Sequence, residues 1–102
     1  ERKDYRGLLS VLIKGESKNN VFFANSKDIS SSGILFESDK IMEIGEKVKC
    51  SFFLERNEID LIGKIIRLEK KEPDLYYYGI EFINLDSKAK ELIEIFIKHS
   101  TN

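Results

Sequence analysis

The chain has little of the side-chain chemistry on which most active sites depend. Its 102 residues include one cysteine, Cys50, and one histidine, His99. A lone cysteine excludes a disulfide framework and a cluster of thiolate ligands, and it fits a reducing compartment. With no second histidine, neither a metal site nor a nucleophile–base pair can be assembled from the usual residue types. Cys50 has apolar residues two positions away on both sides, so it reads as a small core residue. No active site is expected, and no cofactor. Long apolar runs are also missing, as is the pattern of a signal peptide, so a soluble cytoplasmic chain without membrane insertion is expected. Charge of one sign is not in excess. Lys and Arg total 17 against 18 Asp and Glu, for a formal net charge of -1. A global basic surface for nucleic acid is thereby excluded, and any anion site must be local. There are no internal repeats and no low-complexity linker.

What the chain does have is enough apolar material for one core, at 41% of residues with 11% aromatic. One domain of ordinary size is expected. After a polar lead over residues 1–7, Leu9, Val11 and Ile13 alternate as a first strand, and Gly15 to Asn20 reads as a polar turn. Val21 to Ile29 is a second extended run, Ser30 to Gly33 breaks it, and Ile34 to Glu37 is a short third strand. Ser38 to Glu46 is a connection. Lys47 to Leu54 alternates with Val48, Cys50, Phe52 and Leu54 on one side. Arg56 to Glu58 reads as a tight turn, and Ile59 to Lys70 as a long strand whose apolar face changes across Gly63, as at a bulge. Leu75 to Ile83 is a sixth strand, with Tyr76, Tyr78, Ile80 and Phe82 on one face.

Asp86 or Ser87 then caps a helix over residues 86–99 whose stripe is Ala89, Leu92, Ile93, Phe96 and Ile97. The expected fold is mainly β: a small six-stranded antiparallel β-barrel over residues 8–84, with a C-terminal α-helix. The chain opens at Glu1 and its one methionine is Met42. A longer parent protein, with a further domain upstream, is therefore expected.

Two polar constellations stand out. Arg2 and Arg6 are four apart, sharing a face at roughly 6 Å in a helical turn or 13 Å in an extended segment. Guanidinium forks suit phosphate and the acceptor edge of guanine, and their faces stack on bases. The plain alternative is a solvated basic terminus. In Asp28-Ile29-Ser30-Ser31-Ser32-Gly33, an extended start places Asp28 and Ser30 on one face and Ile29 on the other. Here too a plain reading stands: Asp and Ser bonding nearby backbone, with Gly at positive φ. The functional reading is a carboxylate for the N–H edge of guanine and a hydroxyl for phosphate or sugar.

Together these residues resemble a known family. Arg2 and Arg6 match the R-x-x-x-R motif of the PilZ domain family, and Asp28, Ser30 and Gly33 match its [D/N]-x-S-x-x-G motif. Gly79-Ile80-Glu81-Phe82 is similar to the family's G-[apolar]-x-F strand, followed by a helix, and the likeness spans Arg2 to about Ile97. The resemblance implies a non-catalytic bacterial receptor for cyclic di-GMP, a second messenger with two guanines and two phosphates in a ring. Arg2 and Arg6 would bind phosphates and guanine edges or stack on bases. Asp28 and Ser30 would take further polar contacts, and Gly33 would keep the ligand-facing turn open. Ligand would order the lead and so act on an upstream domain or a protein partner. The alternative is a PilZ-like interaction module that binds no nucleotide. A barrel for single-stranded nucleic acid fits less well, because Tyr76, Tyr77 and Tyr78 alternate faces and a basic groove is lacking.

Overall fold

The computed structural model describes residues 11–18 and 20–100. In chain order the strands are β1 (Leu12–Ser17), β2 (Asn20–Ile29), β3 (Gly33–Ser38), β4 (Lys47–Leu54), β5 (Asn57–Glu72) and β6 (Leu75–Ile83), followed by helix α1 (Ser87–Ser100). Every pairing is antiparallel, and the sheet closes on itself in the order β1-β2-β3-β6-β5-β4. The expected six-stranded barrel with a C-terminal helix is the observed fold.

Period-two alternation explains the interior. Ile13, Phe22, Ala24, Ile34, Phe36, Val48, Cys50, Phe52, Leu54, Ile59, Leu61, Ile65, Tyr78 and Ile80 are all buried inside the barrel wall. Fully burying each large side chain contributes about 1.5–3 kcal/mol relative to exposure. Closure pairs Lys14, Gly15 and Glu16 of β1 with Ser51, Cys50 and Lys49 of β4, so among the described residues neither strand is a wholly unpaired edge. Helix α1 starts where Asp86 Oδ2 accepts the Lys88 and Ala89 N–H groups at 3.1 and 3.3 Å. It lies beside β4 and β5 with Ala89 and Ile93 buried. Leu92, Phe96 and Ile97 pack against the same core, while Ile95, off the stripe, faces out.

Two turns sit elsewhere than the sequence suggests. Gly15 to Ser17 belongs to β1, because the register pairs Ser17 with Asn20 and leaves a two-residue loop that begins at Lys18 in the left-handed region, φ 53°. Likewise Leu54 pairs with Asn57, so the β4–β5 turn is Glu55-Arg56, with Glu55 at φ 60°. Polar residues looked like turn material in both places, yet cross-strand pairing carried the ladders further.

One end of the barrel is closed by the β3–β4 connection. Met42 is buried there, and its N–H donates to the Tyr78 hydroxyl at 2.9 Å. That hydroxyl in turn donates to the Lys40 carbonyl at 2.6 Å. Further along the loop, the Glu46 carboxylate accepts from the Ser17 hydroxyl and from the Glu43 N–H.

Three register shifts interrupt the ladders, at Lys27, at Ile66 and at Lys71, and none lies at Gly63. The face does not change there: Leu61, Gly63 and Ile65 all point inward, and a Cβ on Gly63 would stand 2.7 Å from the Ile80 side chain. In β2 the pairing passes from Ser26↔Phe36 to Asp28↔Leu35, leaving Lys27 extra. In β5 it passes from Ile65↔Ile80 to Arg67↔Gly79, leaving Ile66 extra.

Candidate functional site

The bulges at Lys27 and Ile66 each turn a charged side chain to the outside of the barrel. In β2, Phe22, Ala24 and Ser26 point inward, so unbroken alternation would drive Asp28 into the core as well. Lys27 absorbs one residue, Ile29 takes the inward position, and Asp28 turns to the outer face. In β5, alternation from Ile65 would bury Arg67. With Ile66 inserted, Arg67 faces out instead. Burying either charge without a partner would cost several kcal/mol or more, so the bulges relieve a conflict between charge and core.

The registers then align the two. Asp28 pairs with Leu35, Leu35 with Gly79, and Gly79 with Arg67, forming one row across β2, β3, β6 and β5. The next row in, Ile29, Ile34, Ile80 and Ile65, faces the core. A hydrophobic layer thus underlies the outer row. Three strand spacings separate its ends, about 14 Å at 4.7–4.9 Å each.

Above this row lies an open groove of about 250 Å³, lined by Asp28, Ser30, Ser32, Gly33, Leu35, Ile66, Arg67, Gly79 and Glu81 among others. The three second-motif residues singled out in the sequence therefore share one groove. Arg2 and Arg6 lie outside the described residues.

The β2–β3 turn forms the rim. Ser30 Oγ accepts the Gly33 N–H at 3.1 Å and the Ser32 N–H at 3.3 Å, and the Ser30 N–H donates to the Gly33 carbonyl at 2.9 Å. A hydroxyl has two acceptor sites, so this one is occupied in shaping the turn. Gly33 is needed for close approach rather than for a positive φ, and among the described glycines only Gly45 has one, at 94°. A Cβ on Gly33 would stand 2.1 Å from the Ile80 carbonyl oxygen. β3 and β6 can approach as they do only because that position has no side chain.

The described chain enters beside this groove. Val11 is tied to β2 by two bonds, its N–H to Ser26 Oγ at 2.9 Å and the Ser26 N–H to its carbonyl at 2.9 Å. Ser26 stands just before the bulge that presents Asp28. On the row next to the groove, the Tyr77 ring has the Lys27 and Lys71 ammonium groups 5.7 and 5.1 Å from its centroid, held also by Glu37 and Glu69.

A family model, described as PilZ domain, matches residues 1–99. The chain belongs to the PilZ domain family. Among solved structures, the Bacillus subtilis inhibitor of motility (MotI/DgrA) shares its fold, with a TM-score of 0.76 at 15% sequence identity. The match covers 89% of this PilZ chain and 47% of that protein, so the chain spans about half the neighbour's length. The search of curated proteins found no match. Among the described residues of the PilZ domain, no helix is long and apolar enough to cross a membrane, and no group of three or more His, Cys, Asp and Glu could hold a metal ion.

Sequence reading missed Arg67 and the outward-facing Gly79 opposite it as parts of one surface with Asp28. The available signal was the adjacent pair Ile65-Ile66 inside an otherwise alternating strand, the mark of an extra residue.

Proposed function

We propose that this PilZ domain is a non-catalytic receptor for cyclic di-GMP. The observation that carries the reading is the groove in which the Asp28, Ser30 and Gly33 motif sits at the edge of an outer barrel row, beside the point where the chain enters at Val11. Asp28 accepts from the N–H edge of a guanine. Ser30 and Gly33 hold the rim that leaves room for it, and Ser30 acts through the shape of that turn. At about 250 Å³ the groove is smaller than the ~300–1,000 Å³ of pockets that enclose a small ligand, so a cyclic dinucleotide needs a second wall.

Residues before Val11 supply that wall. Arg6 is five residues from Val11 and reaches at most about 17 Å from it, and Arg2 about 30 Å, so both can close over a ligand beside Asp28. Ordering of the lead by ligand then passes the signal to whatever precedes or docks against it. A micromolar complex needs about 8 kcal/mol, and one arginine–guanine fork gives about 1–3, so the lead and the groove act together.

The alternative, a docking module that binds no nucleotide, draws support from Leu12, Phe23 and Phe53, which stand exposed on β1, β2 and β4. Titration calorimetry with cyclic di-GMP at modest salt separates the two. The receptor reading expects saturable heat, weakened about tenfold or more in Asp28→Ala with the melting temperature unchanged. No heat from the folded wild-type chain refutes it.

A further inference from the structure

We propose that Arg67 is a further ligand-binding residue, the fixed cation of the groove, which holds the part of the ligand farthest from Asp28. This rests on the receptor reading and adds a contact that neither the arginine lead nor the Asp28 motif contains.

Charge is the first argument. The described residues lining the groove include two carboxylates, Asp28 and Glu81, and one cation, Arg67. A ligand with two phosphates needs cations facing it, and among the described lining residues the Arg67 guanidinium is the cation. Arg67 is the one already built into the barrel wall.

Its placement is the second. The extra residue Ile66 turns Arg67 outward at the register position opposite Gly79, on the same row as Asp28. Because Gly79 has no side chain, the arginine stem lies low across it: a Cβ there would be 3.1 Å from Arg67 Cβ and 3.7 Å from Cδ. The stem is thus seated on the groove floor while 63% of the side chain stays open to solvent. Both features suit a residue that waits for a ligand.

Its present partner is the third. Arg67 Nη2 meets Glu69 Oε1 at 3.4 Å, and Lys71 Nζ meets the other oxygen of the same carboxylate at 3.3 Å. Such exposed pairs are weak. When Arg67 swings to the ligand, Glu69 retains Lys71, so no charge is stranded.

About 14 Å separates the backbone positions of Asp28 and Arg67, so their side chains approach a ligand from different sides. Asp28 takes the donor edge of one guanine, and the Arg67 fork takes a pair of acceptors elsewhere on the ligand: phosphate oxygens, or O6 and N7 of the other guanine.

The test is calorimetric titration of the whole chain with cyclic di-GMP for wild type, Arg67→Ala, Arg67→Lys and Glu69→Gln, each with a thermal melt. Arg67→Ala is expected to weaken binding roughly 5- to 150-fold at an unchanged melting temperature, Arg67→Lys to recover part of the loss, and Glu69→Gln to bind at least as tightly as wild type. A penalty that shrinks as salt rises assigns the fork to phosphate, and one independent of salt assigns it to guanine. Wild-type binding with Arg67→Ala within twofold overturns the role of Arg67 and leaves the receptor reading standing. Absence of binding by the folded wild type overturns both.

Discussion

Replacing Gly33 by alanine is expected to damage the barrel itself. The new Cβ would lie 2.1 Å from the Ile80 carbonyl oxygen and 3.2 Å from its carbon. A close carbon–oxygen contact is about 3.3 Å, so β3 must move away from β6 by about 1 Å. The atom in the way is backbone in a paired strand and cannot rotate aside. A shift of that size stretches the adjacent bond from the Phe82 N–H to the Ser32 carbonyl, 2.9 Å long, beyond hydrogen-bonding range. One or two ladder bonds at about 1 kcal/mol each, with about 1–3 kcal/mol of overpacking strain, give a loss of roughly 2–5 kcal/mol. For a domain of this size the melting temperature should fall by about 10–40 °C.

Thermal and urea unfolding followed by circular dichroism measure this directly. Gly79→Ala is the control, since its Cβ would meet Arg67 Cβ at 3.1 Å, a much milder approach than the 2.1 Å at Gly33 and one that a shift of a few tenths of an ångström relieves. It should cost less than about 1 kcal/mol. A Gly33→Ala protein that melts within about 2 °C of wild type would refute the close-approach argument. The consequence reaches function, because loss of ligand in that variant reports a collapsed rim rather than a lost contact.

Two further outcomes concern the interior. Tyr78→Phe removes the hydroxyl that accepts from the Met42 N–H and donates to the Lys40 carbonyl at the closed end of the barrel. It should cost about 1–3 kcal/mol in urea unfolding, and an unchanged midpoint contradicts that reading of the loop. Cys50 is buried, which pushes its thiol up to about 12. The proton is held more tightly in the folded state, so any stability linked to it is lost only as pH rises from the ordinary thiol range of about 8.5 towards 12. A thiol reagent in mildly alkaline buffer should therefore label Cys50 only as fast as the domain unfolds, and labelling at the rate of a free thiol contradicts the burial.

Strand content was legible in the sequence because alternation over Lys47 to Leu54 and over Tyr76 to Phe82 reflects the core of one strand at a time. The same holds for α1, where Asp86 and the stripe from Ala89 to Ile97 are local signals. The bulges at Lys27 and Ile66 were not legible, because an extra residue exists only relative to a partner strand. Asp28 and Ser30 were placed on a common face by assuming an extended segment. That result holds in the structure only because Lys27 resets a phase that would otherwise have buried Asp28. Gly33 illustrates the same limit from the other side. Its motif suggested a positive φ, whereas the constraint is an atom of β6, far along the chain. Arg67 carried no motif at all, and only the registers bring it level with Asp28.

The account is tested most directly by amide chemical-shift mapping of the labelled chain during titration with cyclic di-GMP. It predicts saturable shifts at Asp28, at Ser30 through Gly33, at Arg67 and at Gly79, together with the residues preceding Val11, and little change on the outer faces of β1 and β4. No shifts, or shifts confined to the Leu12 and Phe53 side of the barrel, would contradict it.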